Sequence, residues 1–311
     1  MSSSAHVREE LSALRNTIAA IEAGAPLSAR SKRVAQGWNA ARDPENDALQ
    51  TVLPFHIEAL DHALKGGLCL AGMTEIRHAE TRESGAASGF VLGLAARLQA
   101  LRPGQPVLWI AQSSALQEAG LPYGLGLACH GVQPERFLLA RLPKLIDALW
   151  LAETALAHGC FTAVILEVRG NPAAFGLKEG RRLQLRAKAQ GLPFLLLRQA
   201  GDAETGAAHY RLLVRSAPAG FRLLPDGQAM GMSLGNPVFR VTVEKSSTAL
   251  SCETLLEWSP NDHEFRLCEP DRFAARNEPG APHSVDRLSA SALGPDHPAR
   301  PAEIIGFKRT G

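Results

Sequence analysis

Between residues 73 and 200 short apolar runs alternate with stretches whose apolar residues recur every three or four positions. That alternation predicts strands joined by helices. The strands are Met73–Ile76, Pro106–Ala111, Arg136–Ala140, Ala163–Val168 and Pro193–Leu197. The helix over 86–101 carries Val91, Leu94, Ala95, Leu98 and Leu101 on one face. A second helix, 143–158, is opened by Pro143 and closed by Gly159, and a third, 178–190, ends at Gly191. Ala163–Val168 is almost wholly apolar, as a strand buried on both faces must be. From 112 to about 131 the chain is irregular or helical, with Gly120, Pro122, Gly124 and Gly126 weakening any helix. After residue 207 the helical spacing stops. Residues 210–215, 238–244, 253–258 and 264–267 read as strands, an antiparallel extension of the same sheet. The fold class is α/β, a mainly parallel sheet flanked by helices with antiparallel C-terminal strands.

Outside this core the pattern changes. Residues 5–23 carry Val7, Leu11, Leu14, Ile18 and Ile21 at alternating spacings of four and three, one narrow stripe that Gly24 and Pro26 end. Such a helix folds back on its own domain or docks on a partner. Residues 25–52 form a basic linker, with Arg30, Lys32, Arg33 and Arg42 around Trp38. The core then opens with Leu53-Pro-Phe and a short helix from Ile57 to Leu64, stopped by Gly66-Gly67. Residues 269–311 mix prolines, acids and bases with little apolar periodicity and read as a disordered tail. The expected organisation is a docking helix (1–24), a linker (25–52), an α/β core (53–268) and the tail (269–311).

Composition narrows the class. The chain has 311 residues, 45% of them hydrophobic, and a net charge of +2, too little to imply nucleic-acid binding from global charge. The five cysteines show no C-x-x-C spacing and read as free thiols of a reducing compartment. The first residues have no apolar signal region and no run is long enough to span a membrane, so a cytoplasmic protein without membrane attachment is expected.

The stretch after the first core strand is where an α/β protein normally holds a phosphate, on backbone N–H groups and a helix N-terminus. A working loop reads G-x-x-x-x-G-K-[ST]. This chain has Ser84-Gly85-Ala-Ala-Ser-Gly89-Phe90-Val91. Serine replaces the first glycine, Phe90 the lysine that reaches the phosphates, and Val91 the hydroxyl that holds Mg²⁺. The loop reads as a phosphate loop turned structural, or as a plain strand–helix connection. Glu167, at the end of an apolar strand, stands where a nucleotide hydrolase places a Mg²⁺-binding acid and is read as vestigial. No catalytic motif, metal cluster or cofactor is expected. One charged cluster remains: Lys178, Arg181, Arg182 and Arg186, on the third helix, share a side that suits DNA backbone or an acidic partner. Leu183, Leu185 and Ala189 supply its buried positions.

The succession Leu53-Pro-Phe, Gly66-Gly67-Leu68, Gly72-Met-Thr-Glu-Ile76, Ala95-Ala-Arg-Leu-Gln99, Pro106-Val-Leu-Trp-Ile110, Ala163–Val168 and Arg181-Arg-Leu-Gln-Leu185 resembles the ImuA family, over roughly residues 53–258. The resemblance implies a RecA-like core and a role in SOS mutagenesis. ImuA acts there with the inactive polymerase ImuB and an error-prone DnaE-type polymerase, and contacts RecA. It also implies that the N-terminal helix and linker act as a docking arm for a partner or a second copy. Gly66–Gln99 is similar, more distantly, to the entry of the RecA ATPase core, but ATP binding does not carry over past Ser84, Phe90 and Val91. The expectation is a non-enzymatic adaptor. Two other readings stay open: an ATPase in which Glu75 and Glu167 act with a borrowed cation such as Arg82, and a SulA-type division inhibitor.

Overall fold

The computed structural model describes residues 52–268 apart from 223–227, 229, 231–232 and 247–250. The expected docking helix with its apolar stripe, nearly all of the linker, and the tail lie outside the described residues. No helix among the described residues is long and apolar enough to cross a membrane.

The chain enters through β1 (Val52–Leu53), helix α1 (Glu58–Ala63) and β2 (Leu68–Cys69), with β1 and β2 paired antiparallel. Gly67 is obligatory here: its φ is +135°, and a Cβ would lie 2.3 Å from the Leu53 carbonyl oxygen. The main sheet follows: β3 (Gly72–Arg77), β4 (Val107–Gln112), β5 (Phe137–Leu142), β6 (Ala163–Arg169), β7 (Pro193–Gln199), β8 (Tyr210–Ala217), β9 (Val238–Lys245), β10 (Glu253–Ser259) and β11 (Glu264–Leu267). The helices between them are α2 (Ser84–Leu101), α3 (Ser113–Ala119), α4 (Gly124–Cys129), α5 (Leu145–His158) and α6 (Leu177–Ala189). The strands form one nine-stranded sheet in the order β11-β10-β9-β8-β3-β7-β6-β4-β5.

Six neighbouring strands, β5, β4, β6, β7, β3 and β8, run parallel, and β9, β10 and β11 are antiparallel. β8 therefore departs from the antiparallel expectation: it pairs parallel to β3, with Thr74 opposite Tyr210. Alternation within a strand fixes which side chains share a face but says nothing of strand direction.

Side chains alternate between two cores. One face packs Ile76, Trp109, Ile165, Leu197 and Leu212 against α2, α1 and the aromatic residues of β9–β11. The other packs Met73, Ile110, Leu166 and Leu196 against α5 and α6. Helix α2 is buried almost all round, including Phe90, Gly93 and Ala96 beyond the expected stripe. A helix covered on several sides carries no single apolar face. On α6 the buried positions are Gly180, Leu183 and Ala187, whereas Leu185 and Ala189 are exposed, contrary to the reading of the sequence. Small residues let α6 approach the sheet closely, and Leu185 lies on the opposite side of the helix.

Candidate functional site

The site the sequence singles out is the β3–α2 connection. After β3, His78 donates through Nδ1 to the Glu80 carbonyl at 2.8 Å, and a 3-10 turn, Thr81–Glu83, leads directly into α2. Helix α2 begins at Ser84, not near residue 86, so Ser84, Gly85 and Gly89 are its first turns and not an open phosphate cradle. Phe90 and Val91 are fully buried. The Phe90 ring lies 5.0 Å from Phe265, 5.9 Å from Phe239 and 6.5 Å from Phe55, centroid to centroid. The position of a phosphate-binding lysine is thus the hub of an aromatic cluster. Glu83, at the helix entry, accepts a hydrogen bond from the Ser216 amide at 2.6 Å, tying the connection to β8.

Glu167 sits on the same face of the sheet as α2. Trp109 Nε1 donates to one carboxyl oxygen at 2.8 Å, and the Gln199 amide donates to the other. Burial pushes its pKa above the usual carboxylate range, opposed by those two bonds.

Glu75 lies on the opposite face. Arg198 Nε and Arg211 Nη2 each reach one of its oxygens at 3.1 Å. Arg198 and Gln199 are consecutive on β7, so one holds Glu75 and the other Glu167 from opposite sides of the sheet. The two acids do not share a site. Arg82, the cation suggested to serve them, is exposed and pairs with Glu80 at 2.8 Å. Arg77, next along β3, pairs with Glu244 and donates to the Gly201 carbonyl at 2.8 Å. Sequence reasoning did not foresee this arginine-rich set. Its signal was present as charged residues isolated in apolar strands.

Lys178, Arg181, Arg182 and Arg186 are exposed on α6, as the helical spacing predicts. Arg182 and Arg186 both engage Glu153 of α5, at 2.9 and 2.8 Å, which offsets part of the local charge. Exposed pairs of this kind add little stability, about 0–1 kcal/mol. No group of three or more metal-ligating side chains is found among the described residues.

Several segments far apart in the sequence touch one another. Gln184 accepts from the Met73 amide, and a Cβ on Gly72 would lie 2.9 Å from the Gln184 side chain. Arg97 donates to the Pro54 carbonyl at 2.6 Å and stands over the Phe55 ring at 5.5 Å. Gln99 bridges the backbone of Gln133 and Arg136. Comparison with protein-family models and with curated proteins finds no match.

Proposed function

We propose that this chain is a RecA-like accessory protein of the ImuA type, which supports damage-induced translesion synthesis through protein contacts and not through nucleotide hydrolysis. The observation that carries the reading is the burial of Phe90 and Val91 in the core, at the positions a working loop gives to lysine and a Mg²⁺-binding hydroxyl. The strand–turn–helix remains, but its first turns face no open phosphate cradle and offer no cation. A parallel sheet with an antiparallel C-terminal edge agrees with the RecA-like core that the resemblance implies. The mutual contacts of Gly72, Met73 and Gln184, and of Pro54, Phe55 and Arg97, give the resembling segments a common structural purpose.

On this reading RecA and ImuB are direct partners, and the DnaE-type polymerase joins through ImuB. The docking element is the stripe Val7, Leu11, Leu14, Ile18 and Ile21. The exposed basic side of α6 is a second contact surface. An ATPase built on Glu75 and Glu167 together is disfavoured, because the sheet separates them.

The test is a pull-down of the full-length protein, and of a form lacking residues 1–24, against RecA and ImuB, with RecA's nucleotide state held fixed. Binding that needs the arm and is indifferent to ATP supports the proposal. Binding to neither partner, or binding gated by nucleotide on this chain, overturns it.

A further inference from the structure

On the face of the sheet away from α2, a partly open cavity of about 100 Å³ lies between β3, β7, β8 and the start of α6. Glu75, Arg198, Arg211, Phe175, Gly176 and Gly206 are among its walls. The charges do not balance. Glu75 is the one buried acid there, with 3% of its side chain exposed, and it faces two guanidinium groups, each 9% exposed. Glu204 also borders the cavity but is an exposed residue, and it is its backbone carbonyl that accepts from Arg211. Arg77, on the same strand face as Glu75, is matched by Glu244, and Lys245 donates to the Gly206 carbonyl at 2.7 Å. Between Glu75 and its two arginines one positive charge is therefore left over at low exposure, and the half-buried Lys245 adds another, a costly arrangement unless something compensates it.

Two further features point the same way. Arg211 Nε is buried without a hydrogen-bond partner. Gly176 is the N-cap of α6, a helix of thirteen residues, and borders the cavity; its own amide donates to the Glu179 carboxylate at 3.1 Å, and the positive end of the helix dipole lies beside it. The volume suits a few waters, at about 30 Å³ each in the liquid, or one tetrahedral oxyanion.

We propose that this cavity binds a phosphate or sulfate group, held by Arg211 and Arg198 and by the start of α6. The site is independent of the degenerate loop, which lies on the other face. Glu75 then acts as an internal competitor. It keeps the two arginines ordered when the anion is absent and weakens the anion's hold when it is present.

The test titrates sodium phosphate into the full-length protein, with sodium chloride balancing ionic strength, and reads the unfolding temperature and the phosphate phosphorus NMR line width. A saturable rise that chloride does not reproduce is expected. Arg211→Met should weaken phosphate binding about tenfold or more. Glu75→Gln, nearly isosteric, should tighten it several-fold, and it carries the test if R211M fails to fold. A merely structural cluster would lose stability in both variants without moving affinity in opposite directions. A phosphate response equal to that of chloride, or an E75Q affinity equal to or below wild type, overturns the proposal. A thymidine oligonucleotide run in competition identifies the source. Displacement of inorganic phosphate assigns the group to a nucleic-acid backbone, and its absence assigns it to a free or terminal phosphate, both supporting an anion site.

Discussion

Replacing Phe90 tests whether the position that a phosphate loop gives to lysine belongs to the core. The ring is fully buried and meets three other phenylalanines, the nearest at 5.0 Å. Truncating a buried phenylalanine to alanine costs about 3–5 kcal/mol, and four clustered rings leave little room for collapse, so Phe90→Ala belongs in the upper part of that range. Phe90→Lys, which restores the lysine of a working loop, adds an ammonium group in an apolar surround, a further several kcal/mol. Domains of this kind hold about 5–15 kcal/mol in total. F90A should therefore fold with a clearly lowered urea midpoint, and F90K should be largely unfolded. Urea unfolding followed by tryptophan fluorescence reads both, because Trp258 packs on Phe265 within the same cluster, at 4.7 Å. An F90K protein as stable as wild type would refute the reasoning. So would a Ser84→Gly, Phe90→Lys, Val91→Thr protein that folds and binds MgATP.

Two other expectations come from the core. The folded-state pKa of Glu167 is raised by burial, so folding favours the protonated acid. Its contribution is complete below the unfolded-state pKa and is lost as pH rises through the folded-state value, so Glu167→Gln should gain on wild type as pH rises from the ordinary carboxylate range towards neutrality. Parallel stability–pH curves for the two proteins, measured by urea unfolding, would contradict this. At Gly93 a Cβ would lie 2.7 Å from Phe265 and 3.1 Å from Trp258, so Gly93→Val should overpack the contact between α2 and the antiparallel strands and cost about 1–3 kcal/mol. An unchanged thermal midpoint would show that β10 and β11 do not press on α2.

Most strands and the parallel sheet were legible because strands buried on both faces must be apolar runs, as Ala163–Val168 and Pro193–Leu197 are. The start of α2 was not. Ser84-Gly-Ala-Ala-Ser-Gly89 has the composition of a turn, and two glycines lower its helix propensity. Burial of Ala87, Phe90 and Val91 overrides that preference and carries the helix back to Ser84. The buried side of α6 was misjudged at Leu185 and Ala189 because hydrophobicity was weighed above size. Gly180 and Ala187 face inward instead, Gly180 with Ala207 and Met73 close by. Tertiary pairing was hidden as well: Arg198 and Arg211 lie 123 and 136 residues from Glu75, and only the strand order brings them beside it.

The two acids of the parallel strands show how the sheet treats a buried carboxyl in opposite ways. Glu75 faces cations, with Arg198 on one oxygen and Arg211 on the other. Glu167 faces neutral donors, Trp109 and Gln199, which occupy both oxygens, while burial favours the proton. A metal-ligating carboxylate must be deprotonated, and burial opposes that at Glu167. Lysine and threonine placed at Phe90 and Val91 would leave Glu167 buried and bonded to Trp109 and Gln199, in a surround that favours its protonated form. Trp109 is itself part of the core, and its ring packs at a tilt against Phe137, 5.9 Å between centroids. Phe90 and Val91 on α2, Trp109 on β4 and Gln199 on β7 are all buried. Single substitutions among them should therefore cost stability without creating nucleotide binding.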